Sequence, residues 1–409
     1  MPRKGRTGRG STGGAAHGTA KRAPLSPLVT TITRIVGVVP TWVWALVGVL
    51  FALTLVLGMR SRLSALRARR LERQRGQLLE DVGLLQAALL PAAPPRLGPV
   101  GTSVAYRPAD GPGAGGDFYD VFALEDGRLA VIVGDVSGHG RQALPHTALV
   151  RFTLRAYLEA GLSPRVAVQT AGAVLEHQLG GSFVTVVAAT YHPRDRILVY
   201  ACAGHPPPVV LGPQSVHGPG PLVALTVCSS PPIGAGMRTG TRQTVVSVPG
   251  STQVCFHTDG VTEARVAGEL FGTERLSRAL AALGPQATAS TLLGRVTEET
   301  DARPDDMAAC LLRIEGGAGA ARVLTEEIEL DGEQVAGERA KRFLLACGVE
   351  RGEIVELLHA ARVAAGGAGT VVLELRLGDG PPEVTLRGDN VALLRGGHAI
   401  QGAALGVSR

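Results

Sequence analysis

Arg128-Leu-Ala-Val-Ile-Val-Gly-Asp-Val-Ser-Gly-His-Gly140 decides the reading of this chain. The apolar run 129–134 has the length of a strand, and Asp135 closes it just before Gly138 and Gly140. A carboxylate on a rigid strand end, with glycine beside it, suits a hard cation, because glycine lacks Cβ and tolerates positive φ. One aspartate next to glycine is ordinarily a turn residue. Here the arrangement recurs in order. Gly115-Gly-Asp-Phe-Tyr-Asp120 lies upstream, Thr258-Asp-Gly-Val-Thr-Glu-Ala264 follows the apolar run 254–256, and Pro304-Asp-Asp-Met307 opens a strand pattern. Asp117, Asp135, Asp259 and Asp305 are therefore candidate ligands for Mn²⁺ or Mg²⁺. Two such ions about 3.5–4 Å apart can hold a bridging water and polarise a phosphoryl group for in-line attack.

Around these motifs the chain alternates short Val/Ile/Ala runs with Gly/Pro turns. Strands are expected at 128–133, 183–191, 197–203, 244–248, 252–258 and 307–314, and helices at 142–160, 164–178 and 286–300. Strands in hairpin-like succession with helices inserted between them predict an α+β sandwich, not a βαβ repeat.

The ordered set resembles the SpoIIE/RsbU-type branch of the PPM (PP2C-like) protein phosphatases. Supporting stretches are Leu85-Gln-Ala-Ala-Leu-Leu-Pro91, Arg107-Pro-Ala109, Ala203-Gly-His-Pro-Pro207 and Glu269-Leu-Phe-Gly272. The resemblance covers about residues 83–315 and implies two packed antiparallel sheets flanked by helices, with two metal ions at one edge. It implies that Asp135 bridges both ions with the Val136 carbonyl beside it. Asp117, Asp259 and Asp305 complete the set, and Asp120 and Asp306 support it. The implied reaction is hydrolysis of phosphoserine or phosphothreonine on a protein by direct attack of metal-bound hydroxide. Where eukaryotic-type members carry a general-acid histidine this chain has Ser137, so His139 is read as a turn residue, and His205, beside prolines, as a packing residue.

The first 75 residues carry 14 Lys/Arg against the single acid Glu72. Residues 1–34 read as a disordered basic arm, and 35–58 contain no charged residue, enough for a membrane span. Trp42 and Trp44 stand where indoles favour the interface. Arg60, Arg62, Arg67, Arg69, Arg70 and Arg73 follow the span, outnumbering Lys21, Arg22 and Arg34 before it. A single-pass cell-membrane protein with its catalytic domain in the cytoplasm is expected. Leu63, Leu66, Leu71, Leu78, Leu79, Leu84, Leu85 and Leu89 mark a linker helix over 59–91, which either pairs two copies as a coiled coil, giving a homodimer, or packs on its own domain.

The phosphatase domain is placed at 92–315 and, after a Gly/Ala stretch, a small α/β domain at 321–409. The latter weakly resembles a GHKL ATPase-like domain but lacks the Asn expected beside Glu356, which speaks against ATP binding. Aromatics are 4% of the chain, too few for the stacking platforms of a nucleic-acid binder, so none is expected as a partner. The five cysteines form no CxxC pair and read as reduced, buried thiols. The expected function is metal-dependent dephosphorylation of a regulatory protein, such as a STAS-type anti-sigma factor antagonist, in signalling that controls transcription. The alternative is a weakly active scaffold on the same fold that acts by partner binding.

Overall fold

The structure is a computed structural model and describes residues 40–108, 116–138, 143–212, 230–301, 305–316, 324–366, 369–377, 381–388 and 391–394. Side chains at 41, 71, 73–89 and 391–394 are not described. The basic arm, the first residues of the expected span (35–39), His139, Cys228, Pro304 and Asp389-Asn390 lie outside the described residues, as do the leucine side chains at 71–89. Two compact units meet in the sequence at Gly76/Gln77.

The first unit carries most of helix α1 (Thr41–Leu89), which continues without a break at Gly58. Its stretch Trp42–Arg70 contains an 18-residue window of mean hydropathy 2.3, long and apolar enough to cross a membrane. Trp42, Trp44, Leu46, Val47, Val49, Leu50 and Phe51 are exposed.

In the second unit, β1 (Arg96–Leu97), β2 (Val100–Arg107), β7 (Val209–Leu211), β9 (Gln253–His257) and β12 (Met307–Ile314) form a five-stranded antiparallel sheet in the order β1-β2-β12-β9-β7. A second sheet contains β3 (Phe118–Ala123), β4 (Leu129–Val136), β5 (Val184–His192), β6 (Ile197–Ala203) and β8 (Arg242–Ser247). Period-two side-chain alternation explains how both sheets are covered on both faces. From β4, Leu129, Val131 and Val133 point between the sheets toward Val254 and Phe256 of β9 and Ala308, Cys310 and Leu312 of β12. The intervening Ala130 and Ile132 face the other way, onto α2 (Ala143–Glu159) and α3 (Pro164–Leu175), where Val150, Leu154 and Leu158 recur every four residues. On the far side, Cys255, Ala309 and Leu311 pack against α5 (Gly272–Leu283) and α6 (Ala289–Glu299). The result is a four-layer helix–sheet–sheet–helix sandwich. A short helix, α4 (Asp259–Glu263), and a small hairpin of β10 (Arg265–Val266) and β11 (Glu269–Leu270) join β9 to α5.

The C-terminal residues do more than follow a linker. Strand β13 (Leu324–Asp331) pairs antiparallel with β8, Ile328 opposite Arg242 and Leu324 opposite Val246. With β14 (Thr370–Leu377), β15 (Glu383–Gly388) and β16 (Val391–Leu394) it extends the second sheet to nine strands. Helices α7 (Gly332–Val335), α8 (Glu338–Ala346) and α9 (Arg351–Ala364) cover this extension through Phe343, Leu344, Ile354 and Leu357. The junction is polar and specific. Glu329 of β13 meets Arg165 of α3 and Arg238, and accepts from Gln169 Nε2 at 3.0 Å. Thr244 of β8 donates to Glu326, which is fully buried. Arg242 stacks over the Phe343 ring.

Candidate metal centre

Four separate segments deliver carboxylates to one edge of the sandwich. Asp117 precedes β3, Asp135 is the penultimate residue of β4, Asp259 opens α4 after β9, and Asp305 and Asp306 precede β12. Strands β3 and β4 pair so that Phe118 lies opposite Gly134, which brings the Asp117 and Asp135 ends together. On the other sheet, β9 and β12 pair in the register His257↔Ala309, which does the same for Asp259 and Asp305.

Glycines let these backbones close. A Cβ on Gly116 would lie 2.2 Å from the Val136 carbonyl oxygen and 2.3 Å from Asp135 Oδ1. A Cβ on Gly260 would lie 1.9 Å from the Asp306 carbonyl oxygen. Gly116 also accepts the Val136 amide at 3.2 Å. The glycine signal in the motifs thus has a steric cause, close approach of backbone to backbone and to a carboxylate.

The electrostatics are those of like charges crowded together. Burial raises Asp117 well above the ordinary carboxylate value, and the neighbouring Asp135, Asp306 and Asp259 raise it further against the hydrogen bond from Thr258. Burial, then Asp259, Asp305 and Asp306, push Asp135 up to about 7. Asp259 is raised by burial, by Glu263 and by Asp305. Such mutual repulsion reverses when a divalent cation is present, since the ion is then the largest local charge. The donor set consists of hard oxygens, which fits Mg²⁺ or Mn²⁺ better than a soft metal. Among the described residues, however, no three acidic, histidine or cysteine side chains already stand in a ready-made ligand cage. The acids share a neighbourhood without closing on a common point.

Asp120, three residues beyond Asp117, is not in this group. It lies buried in β3 and pairs with Arg151 at 3.0 Å and Arg155 at 3.3 Å, both from α2. Its role is to tie the helix to the sheet. Asp306 belongs to the carboxylate neighbourhood through its effect on Asp117 and Asp135. His205 is buried, hydrogen-bonds Thr185 Oγ1 at 2.9 Å and is driven down to about 3, by burial first and then by His257, so it is a neutral packing residue. Two residues were not singled out from sequence: Glu263, one helical turn after Asp259, whose i+4 spacing was a readable signal, and Thr258, whose hydroxyl donates to Asp117 Oδ2 at 2.7 Å.

Comparison with known proteins gives a consistent picture. Residues 125–315 match the family model described as Stage II sporulation protein E (SpoIIE). Protein IcfG of Synechocystis sp. is 28% identical over 240 residues, which cover 50% of this chain and 36% of that protein, so the chain matches little more than a third of that relative's length. Among solved structures, the RsbU and RsbW domains of Rv1364c from Mycobacterium tuberculosis align over 70% of this chain and 83% of theirs, at 22% identity and a TM-score of 0.44. The SiaA-PP2C domain of Pseudomonas aeruginosa aligns over 60% of this chain and 98% of its own, at 20% identity and a TM-score of 0.49. The phosphatase domain of SpoIIE from Bacillus subtilis, with a fragment of its regulatory domain, aligns over 53% and 63%, at 20% identity and a TM-score of 0.45. The chain is thus similar to the SpoIIE family over residues 125–315, somewhat less than half of its length.

Proposed function

We propose that Asp117, Asp135, Asp259 and Asp305, with the Val136 carbonyl, hold two Mn²⁺ or Mg²⁺ ions, and that the chain hydrolyses phosphoserine or phosphothreonine on a regulatory protein. The observation that carries this reading is the convergence of acids from four segments on one sandwich edge, where burial and neighbouring acids raise Asp117, Asp135 and Asp259. When bound, the ions supply Lewis acidity and an activated water. The chain's own residues do the rest. Gly116 and Gly260 admit the close backbone approach, and Thr258 engages Asp117. The substrate class is the one that the SpoIIE/RsbU resemblance suggests, with a phosphorylated STAS-type antagonist of an anti-sigma factor as the specific case.

The apolar stretch of the helix up to Gly58 is read as a single membrane anchor, with Arg60, Arg62, Arg67, Arg69, Arg70 and Arg73 after it on the cytoplasmic side together with the phosphatase domain. The remainder of α1 is read as the segment through which two copies pair. A second reading, partner capture with little turnover, draws on the acids' not forming a closed cage.

The test is hydrolysis of a generic phosphoester by the purified full chain in detergent, with and without Mn²⁺. Metal-dependent turnover that disappears in Asp135→Ala is expected. Turnover indifferent to metal would contradict the site, and no turnover in a protein that still binds phosphoprotein would favour the second reading.

A further inference from the structure

Thr258 stands between β9 and Asp259 and is completely buried. Beyond the rung His257↔Ala309 the ladder between β9 and β12 changes form. The Thr258 amide donates to the Ala308 carbonyl at 3.1 Å, as in a regular sheet, but the Ala308 amide donates to the Thr258 hydroxyl at 2.9 Å. The Thr258 carbonyl accepts instead from the Val261 amide, 3.2 Å away in the following helix, and from His257 Nδ1 at 3.1 Å. The hydroxyl thus fills a place in the ladder that a main-chain oxygen has vacated.

The same hydroxyl oxygen is 2.7 Å from Asp117 Oδ2. A hydroxyl has one proton and two lone pairs. The Ala308 N–H occupies one lone pair, and an ionised carboxylate can only accept, so the hydroxyl proton goes to Asp117. Asp117 leads into β3 of one sheet, whereas Thr258 follows β9 and Ala308 lies in β12 of the other. The chain Ala308 N–H to Thr258 hydroxyl to Asp117 therefore bridges the two sheets at the edge where the Asp117/Asp135 pair faces the Asp259/Asp305 pair.

We propose that Thr258 is a positioning residue for the metal site: its hydroxyl fixes the orientation of the Asp117 carboxylate and engages Oδ2, leaving the other oxygen for a divalent cation. This rests on the reading of the edge as a metal site. Partners that orient a ligand are worth about 10–100-fold in metal affinity. Valine keeps the shape of threonine without the acceptor for the amide or the donor for the carboxylate, and serine keeps the hydroxyl alone.

The test is titration of the full chain, in a non-ionic detergent, with Mn²⁺ alone, the free ion being followed by its electron paramagnetic resonance signal. Thr258→Val is expected to weaken Mn²⁺ binding by about 10-fold or more, while Thr258→Ser retains the parent affinity. Thr258→Cys, with a weaker donor, is read in place of the valine variant if thermal melting shows that variant unfolded, and is expected to bind more weakly than Thr258→Ser. Parent-like affinity in the folded hydroxyl-free variant, or a serine variant as weak as it, would overturn the proposal. Absence of Mn²⁺ uptake by the parent would instead remove the metal reading on which the proposal stands, so the two failures are distinguishable.

Discussion

The carboxylate edge and the β8–β13 junction use the same kind of residue to opposite ends. At the edge, Asp117, Asp135 and Asp259 are surrounded chiefly by other acids, and all three have their pKa raised. At the junction, burial works to raise Glu329, but hydrogen bonds from Gln169 and Arg165 and the charges of Arg165 and Arg238 hold it below the ordinary value. Asp120 is of the second kind, fastened by Arg151 and Arg155 only three residues from Asp117. An acid that has found its guanidinium is a lock. Acids crowded mainly by other acids favour a charge supplied from outside, and on that contrast rests the proposal that the edge takes cations.

The comparison can be broken most severely at Asp135. Asp135→Ala should lower metal-dependent phosphoester hydrolysis by about 10³-fold or more, since the Lewis acidity of a bound ion is worth several kcal/mol. Parent-like rates would mean that the edge is another lock. Asp120→Asn should do the reverse. It leaves the buried Arg151 without its counter-charge and should cost about 3–5 kcal/mol in urea unfolding, while Mn²⁺ affinity stays at the parent value. Gly116→Ala drives a Cβ into the Val136 carbonyl and the Asp135 carboxylate, and is expected to weaken Mn²⁺ binding by about 10–100-fold, as measured by titration.

The smallest effect belongs to Glu329→Gln, about 1–2 kcal/mol in the same unfolding assay, because Arg238 is 37% exposed and can turn to water. Its pH signature sharpens the contrast. A group whose folded pKa is depressed stabilises above its unfolded value and loses that contribution as pH falls through the folded value. Amide exchange of β8 and β13 should therefore accelerate below about pH 4.5 in the parent, and the Gln variant should lack that step.

Much of this was legible in the sequence because it depends on short-range pattern. The strands at 197–203 and 307–314 coincide with Ile197–Ala203 and Met307–Ile314, since both are apolar runs between turn residues, broken only by Arg313. Strand β3 was harder to read, because Asp120 interrupts its apolar run and only a distant helix explains the buried charge. The junction was not legible. A Gly/Ala stretch looks like a domain boundary, and the glutamates of β13 look like a solvated face, yet Glu326 is fully buried against Thr244. Nothing local announces that β8 leaves an edge for β13 to cover. Thr258 was hidden for a similar reason: a threonine beside a strand is an ordinary β-former until its hydroxyl is seen to stand in the ladder and reach Asp117.

Diffraction at the manganese absorption edge from crystals of the full chain soaked in Mn²⁺ tests the central claim most directly. Two anomalous peaks are expected at the edge formed by Asp117, Asp135, Asp259 and Asp305, with Asp135 touching both. Peaks elsewhere, or none at this edge while Mn²⁺ is present in excess, would contradict it.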